Sequence, residues 1–283
     1  MNAEQTKRSE SGGMNEGTRP HMPPLRELGD DLITITLAQR VVAVTIPFFC
    51  VAAYFAFAVT EWWPAALVAL MALSFFTYGS TSHDLVHRNL GLPSKVNDLL
   101  LSLIELLCLR SGHAYRIAHL HHHARFPHED DMEGSAARMS FSRTLLEGPI
   151  FQFRIWFWAL NRAKQERVWI LWEGVGCLLL FAAAAAVCPI TPIFFIYTVI
   201  VIMGGWLFPL ITAHLPHDPD RGEVLCQTRV FRGVVLSVIA LDHLYHLEHH
   251  LYPSVPHQKW RQLANRLHPY FAKAGVQPIK LWF

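Results

Sequence analysis

Four windows of the sequence concentrate histidines at spacings that could hold metal ions. His83-Asp84-Leu85-Val86-His87 sets two imidazoles four residues apart, and on a helix such a pair shares one face. His119-Leu120-His121-His122-His123 contains an HxxHH. At about 100° per residue, His119, His122 and His123 fall within an arc of about 100° while His121 points away. His246-Leu247-Glu248-His249-His250 repeats that pattern, with His243 one turn earlier on the same face. In the fourth window, His214-Leu215-Pro216-His217, either His214 or His217 could complete a metal site. Imidazole is a neutral nitrogen donor suited to Fe, Zn, Cu and Ni. One tetrahedral zinc uses about three or four such ligands, so eight or nine point to two metals. Iron is the expected metal, because it is redox active and forms oxidants able to break unactivated C–H bonds. A ligating histidine also wants a carboxylate or carbonyl on its other ring nitrogen. Asp84, Asp130, Asp131, Asp218, Asp242 and Glu248 lie beside the clusters and are the candidates for that role.

The elements that bring these windows together are apolar. The 283 residues are 52% hydrophobic and 16% charged, with a mean hydropathy of +0.24, whereas soluble domains carry about 25% charged residues. Residues 41–80 hold no Lys or Arg, and Glu61-Trp62-Trp63-Pro64 interrupts them midway. A second cation-free stretch, 168–220, is broken at Cys188-Pro189-Ile190-Thr191-Pro192. Each stretch is long enough for two crossings of a hydrocarbon core about 30 Å thick. The expected spans are roughly 41–60, 64–82, 168–188 and 192–213. Neither hairpin tip carries a cation, so all 24 Lys and Arg lie on the opposite side, which the positive-inside rule makes cytosolic, both termini included. Two shorter apolar pieces, around 96–109 and 151–158, fit helices lying in the membrane interface; the aromatic second piece could instead line a substrate channel. Residues 1–30 contain no apolar core of a signal peptide and read as a disordered tail. Residues 31–283 form one domain. The fold class expected is all-α: an integral membrane bundle of four spans with a cytosolic helical cap carrying the histidines.

Several function classes are excluded. A net charge of +2 offers no basic field for nucleic acid. Cys50, Cys108, Cys177, Cys188 and Cys226 lie too far apart for a zinc ribbon, a cysteine-ligated cluster or a disulfide framework. A membrane metal transporter would place ligands along a path across the bilayer, but here they gather on one side. A haem needs two axial ligands, not eight.

The HxxxH, HxxHH and HxxHH clusters resemble those of the membrane fatty acid desaturase superfamily over roughly residues 40–260. Glu129-Asp130-Asp131 after the second cluster and His246–Pro256, HLEHHLYPSVP, strengthen the resemblance. It implies two non-haem irons held by His83, His87, His119, His122, His123, His246, His249 and His250, with His217 as an additional ligand. It further implies that O2 and two electrons are used to oxidise a lipid dissolved in the membrane. The expected activity is desaturation or hydroxylation of a fatty acyl lipid. The alternative is a carotenoid ring ketolase or hydroxylase, which the HDxxH cluster and Leu215-Pro216-His217 also resemble. The chain carries no HPGG haem motif and no cysteine-based redox domain. Electrons are therefore expected from a separate donor, such as ferredoxin or cytochrome b5 with its reductase.

Overall fold

A computed structural model of the chain describes residues 22–233 and 243–281. The described chain is mostly helical. Its helices are α1 (Leu25–Leu28), α2 (Leu37–Val59), α3 (Trp63–Phe76), α4 (Ser82–His87), α5 (Ser94–Leu107), α6 (Gly112–Arg125), α7 (Phe141–Arg162), α8 (Arg167–Val187), α9 (Ile193–Gly204), α10 (His246–Leu251) and α11 (Trp260–Lys273). The departures from an all-α fold among the described residues are a two-residue parallel pairing of Phe231–Arg232 with Ile279–Lys280 and an isolated antiparallel bridge between His217 and Thr228.

Four stretches are long and apolar enough to cross a bilayer: Asp30–Val59, Trp63–His87, Arg167–Val187 and Ile193–His214. The first helix starts earlier than charge alone indicates. Thr36 caps it reciprocally with Gln39, each side chain accepting from the other's backbone N–H, a device that satisfies two otherwise orphaned donors. Its hairpin partner begins after a turn in which Glu61 has φ 60°, and Pro64 sits in the first turn of α3, where its missing N–H costs nothing. The second hairpin turns through Cys188–Pro192, where Ile190 and Thr191 donate to the Val187 carbonyl at 2.9 and 3.0 Å. The hairpins meet at Tyr54, whose hydroxyl donates to the Ile193 carbonyl at 2.8 Å and whose ring lies 5.3 Å from that of Tyr197. Leu178, Leu179 and Trp172 of α8 stay 65–70% exposed.

The histidine-bearing ends of the second and fourth spans are not plain α-helix. A π-turn, Thr77–Thr81, carries α3 without a break into α4. Its counterpart, Pro209–His214, ends the fourth span. An extra residue per turn reorients the side chains that follow, and such turns are frequent at functional sites.

The expected interfacial pieces are α5 and α7. On α7, Leu146, Ile150, Phe153 and Phe157 recur at i, i+4, i+7 and i+11 and are 50–78% exposed. Ile150, Phe153 and Phe157, with Trp156 and Arg154, flank an open groove of about 760 Å³.

Part of the stretch read from composition as a tail is ordered. Residues 22–30 are folded: α1 buries Leu28, and Tyr252 donates to the Pro23 carbonyl at 2.6 Å. Just beyond, Asp31 pairs with Arg266 at 2.7 Å. Composition missed this because α1 is a single turn, held by α11 rather than by its own propensity.

A buried carboxylate ties three helices together. Glu173 of α8 accepts from Ser102 of α5 and Ser111, the residue capping α6, both at 2.5 Å. It also accepts from the backbone and ring of His113 at 3.1 and 2.7 Å. Glu173→Ala strands four donors in a dry place. We expect a loss of about 3–5 kcal/mol in stability, read as a lowered thermal midpoint in detergent, with Glu173→Gln less damaging.

Candidate metal centre

Nine histidines converge from four parts of the fold into two groups. His83, His87, His119, His123 and His249 form one; His122, His217, His246 and His250 form the other. Within each group the candidate ligand nitrogens lie within 4.8 Å of one another. The i, i+4 pairs each stay together: His83 and His87 on α4, His119 and His123 on α6, His246 and His250 on α10. The intervening histidine of each HxxHH crosses over. His122 leaves the α6 pair for the second group, and His249 leaves the α10 pair for the first. Single helical faces were expected; the structure shows each face split between two groups.

The nitrogens approach closely and head-on. In the first group the Nε2 atoms of His83 and His249 are 2.9 Å apart, those of His249 and His123 2.7 Å, and those of His123 and His119 3.1 Å. The His87 Nε2 is buried with no hydrogen-bond partner among the described residues. In the second group, His217 Nε2 lies 3.1–3.2 Å from the Nε2 atoms of His122, His246 and His250.

Hydrogen bonding on the outer nitrogens decides what these contacts mean. His217 Nδ1 donates to the Ala213 carbonyl at 3.0 Å, which can only accept, so its Nε2 carries a lone pair. His122 Nδ1 donates to Asp131 at 2.7 Å, and His119 Nδ1 to both oxygens of Glu133 at 3.1 Å. Their Nε2 lone pairs therefore also face inward. Lone pairs opposed at 3.2 Å, as in His122 and His217, repel unless a proton or a metal cation lies between them. A metal–nitrogen bond of about 2.0–2.1 Å places neighbouring ligands about 3 Å apart. The residues fit a pair of metal ions.

Electrostatics point the same way. Burial, together with the surrounding imidazoles, holds His123, His217, His249 and His250 well below the ordinary histidine range. They remain neutral, which is the ligating form. His122 moves upward: burial opposes its charge, but the hydrogen bond and charge of Asp131 outweigh that. Burial likewise opposes the charge of Asp131, and His122 prevails in lowering it.

Other histidines are left out. His121 points away as expected, 3.3 Å from Asp130 and beside the Trp158 ring. His214 belongs to neither group: its Nδ1 faces the Ala136 carbonyl at 3.2 Å. Of the two histidines in that window, His217 joins a group. Asp242 lies outside the described residues, as does the side chain of His243.

Most carboxylates expected to support ligands do something else. Asp131 supports His122, but Asp84 accepts from the ring and backbone of His257 at 2.6 and 3.1 Å, tying α4 to the segment before α11. Asp130 pairs with Arg125 and Arg162. Asp218 pairs with Arg221. Glu248 faces outward from α10 to Arg232. Being next to a histidine puts a helical residue about 100° away from it, so adjacency was a poor guide. Glu133, which supports His119, was missed. Its signal was faint: one acid two residues beyond Glu129-Asp130-Asp131, placed by the 3-10 turn Glu133–Arg138.

Between the two groups lies a cavity of about 40 Å³, walled by His119, His122, Tyr78, Ile211, Thr212 and Trp260. Both π-turns contribute to it, Tyr78 from one and Ile211 with Thr212 from the other.

Residues 60–282 match the family model of the fatty acid desaturases. No curated protein matches the chain. The match covers most of the chain, including every histidine of both groups, and the chain belongs to the fatty acid desaturase family.

Proposed function

We propose that this chain is a membrane-embedded, O2-dependent oxidoreductase that desaturates or hydroxylates a fatty acyl lipid at a pair of iron ions. The observation that carries the reading is the division of nine imidazoles into two groups, both of which contribute rings to the wall of a small cavity. One iron would be held by His83, His87, His119, His123 and His249, the other by His122, His217, His246 and His250. Bound there, the metal pair supplies the reduction of O2 that yields an oxidant for an unactivated C–H bond.

The chain's own residues hold and shape that site. Glu133, Asp131 and the Ala213 carbonyl fix the tautomers of His119, His122 and His217, so the nitrogens are presented without a proton to remove. The cavity walls, Tyr78, Ile211, Thr212 and Trp260, keep the space small and orient what enters it. Four long apolar stretches with exposed Leu and Trp side chains support insertion in a bilayer. The exposed apolar stripe of α7 supports its lying in the interface. With every Lys and Arg away from the hairpin tips, the histidine side is read as cytosolic, accessible to a separate electron donor.

Purified protein should contain close to two irons per chain; stoichiometric zinc without iron contradicts the reading. His122→Ala should lose one iron and abolish turnover, measured by metal analysis and by mass spectrometry of the lipids. His121→Ala, removing a ring that belongs to neither group and lies 3.3 Å from Asp130, should keep both irons and most activity. Equal loss of iron in the two variants contradicts the assignment.

Acid stability follows from the neutral histidines. Unfolded, each binds a proton near about pH 6.5; folded, His123, His217, His249 and His250 bind one only well below that. Across the interval the unfolded chain holds more protons. Stability is therefore full above about pH 6.5 and falls as pH is lowered. His122, raised by Asp131, opposes the trend but is one group against four. The thermal midpoint of metal-free protein in detergent should drop between about pH 7.5 and 5.5.

A further inference from the structure

Tyr78 lies on the cavity wall, and its hydroxyl faces the Glu133 carboxylate with the Thr212 side chain as a second hydrogen-bonding neighbour. It donates to Glu133 Oε1 at 3.3 Å, and that same oxygen lies 3.1 Å from His119 Nδ1. Tyr78 and Glu133 are 5% and 3% exposed, so bulk water does not dilute the arrangement. The phenol is also held rigidly. Its ring is stacked between Tyr115 at 4.6 Å and Phe208 at 4.2 Å, within 21° of parallel to each. The Arg110 guanidinium lies 5.3 Å from its centroid, and Tyr115 donates to the Tyr78 backbone carbonyl at 2.9 Å. The π-turn Thr77–Thr81 places this residue on the wall of the cavity.

We infer that Tyr78 is a positioning residue that weakens the His119 ligand by competing for Glu133. The inference rests on the metal reading given above. A carboxylate oxygen shared by two donors bonds each less strongly than it would bond one. With Tyr78 in place, Glu133 draws less on the His119 Nδ1–H, and less electron density reaches the Nε2 that faces the metal. The phenol thus sets donor strength at one ligand of the first group while leaving the second group, supported by Asp131 and Ala213, untouched. Packing alone does not account for the hydroxyl, because Phe208 and Tyr115 would stack equally well on a phenylalanine.

Tyr78→Phe keeps the stack and removes the donor. Its metal affinity is compared with wild type and Glu133→Gln by chelator competition, using cobalt(II) as the probe on detergent-purified, metal-free protein. Tyr78→Phe should bind the first-group cobalt about twofold or more tightly, since the shared carboxylate oxygen then serves His119 alone. Glu133→Gln should bind it about 10–100-fold more weakly. Adding Tyr78→Phe to Glu133→Gln should then change nothing further, because the effect passes through the carboxylate. A purely structural tyrosine predicts weaker binding in Tyr78→Phe, and that result overturns the inference. So does an equal shift in both backgrounds. Wild-type protein that takes up two cobalt ions while Tyr78→Phe binds more weakly overturns this inference alone. Wild-type protein that takes up none overturns the metal reading and this inference with it.

Discussion

Nine imidazoles packed nitrogen to nitrogen in a buried space are mutually repulsive, and the rest of the architecture is arranged around that fact. At separations of 2.7–3.2 Å the inward-facing nitrogens crowd one another, and in three of the rings the proton is held on the outer nitrogen. The Ala213 carbonyl, Asp131 and Glu133 take those protons. A shared positive charge is the remaining way to offset the crowding. Until one arrives, the fold itself must hold the rings in place.

That mechanical demand explains the buried charges that never touch a ligand. Glu173 joins α5, α6 and α8 close to the start of the helix that carries His119, His122 and His123. Asp84 fastens α4 to the segment leading into α11. Glu248 and Arg232 anchor the outward face of α10. Buried ionic ties contribute little net stability over apolar packing, but removing one partner is costly. Each of these ties sits on or beside a helix that presents histidines, where a slip of one residue would rotate the rings away.

The spans and the histidines were legible in the sequence for different reasons. Cation-free runs and their Pro-containing breaks mark Trp63–His87 and Ile193–His214 as stretches long and apolar enough to cross a bilayer. The i, i+4 and i+3 spacings identify which rings share a face, as His121 pointing away from both groups illustrates. What helical spacing cannot carry is anything decided by a partner element. The π-turns, the choice of His217 over His214, and the use of Glu133 rather than Asp84 all depend on what packs opposite. The same limit explains the fold of residues 22–30, which have no periodicity of their own and are ordered by Tyr252 and α11.

The exchange of His122 and His249 between groups makes α6 and α10 act as rulers. Each helix has one foot in both nitrogen clusters, so the distance between clusters is set by the covalent rise and twist of a single turn rather than by loop or domain packing. Neither cluster can tighten, open or tilt without dragging the other along. The two groups are thereby held at one fixed spacing, and a displacement of the α6 or α10 backbone moves rings in both.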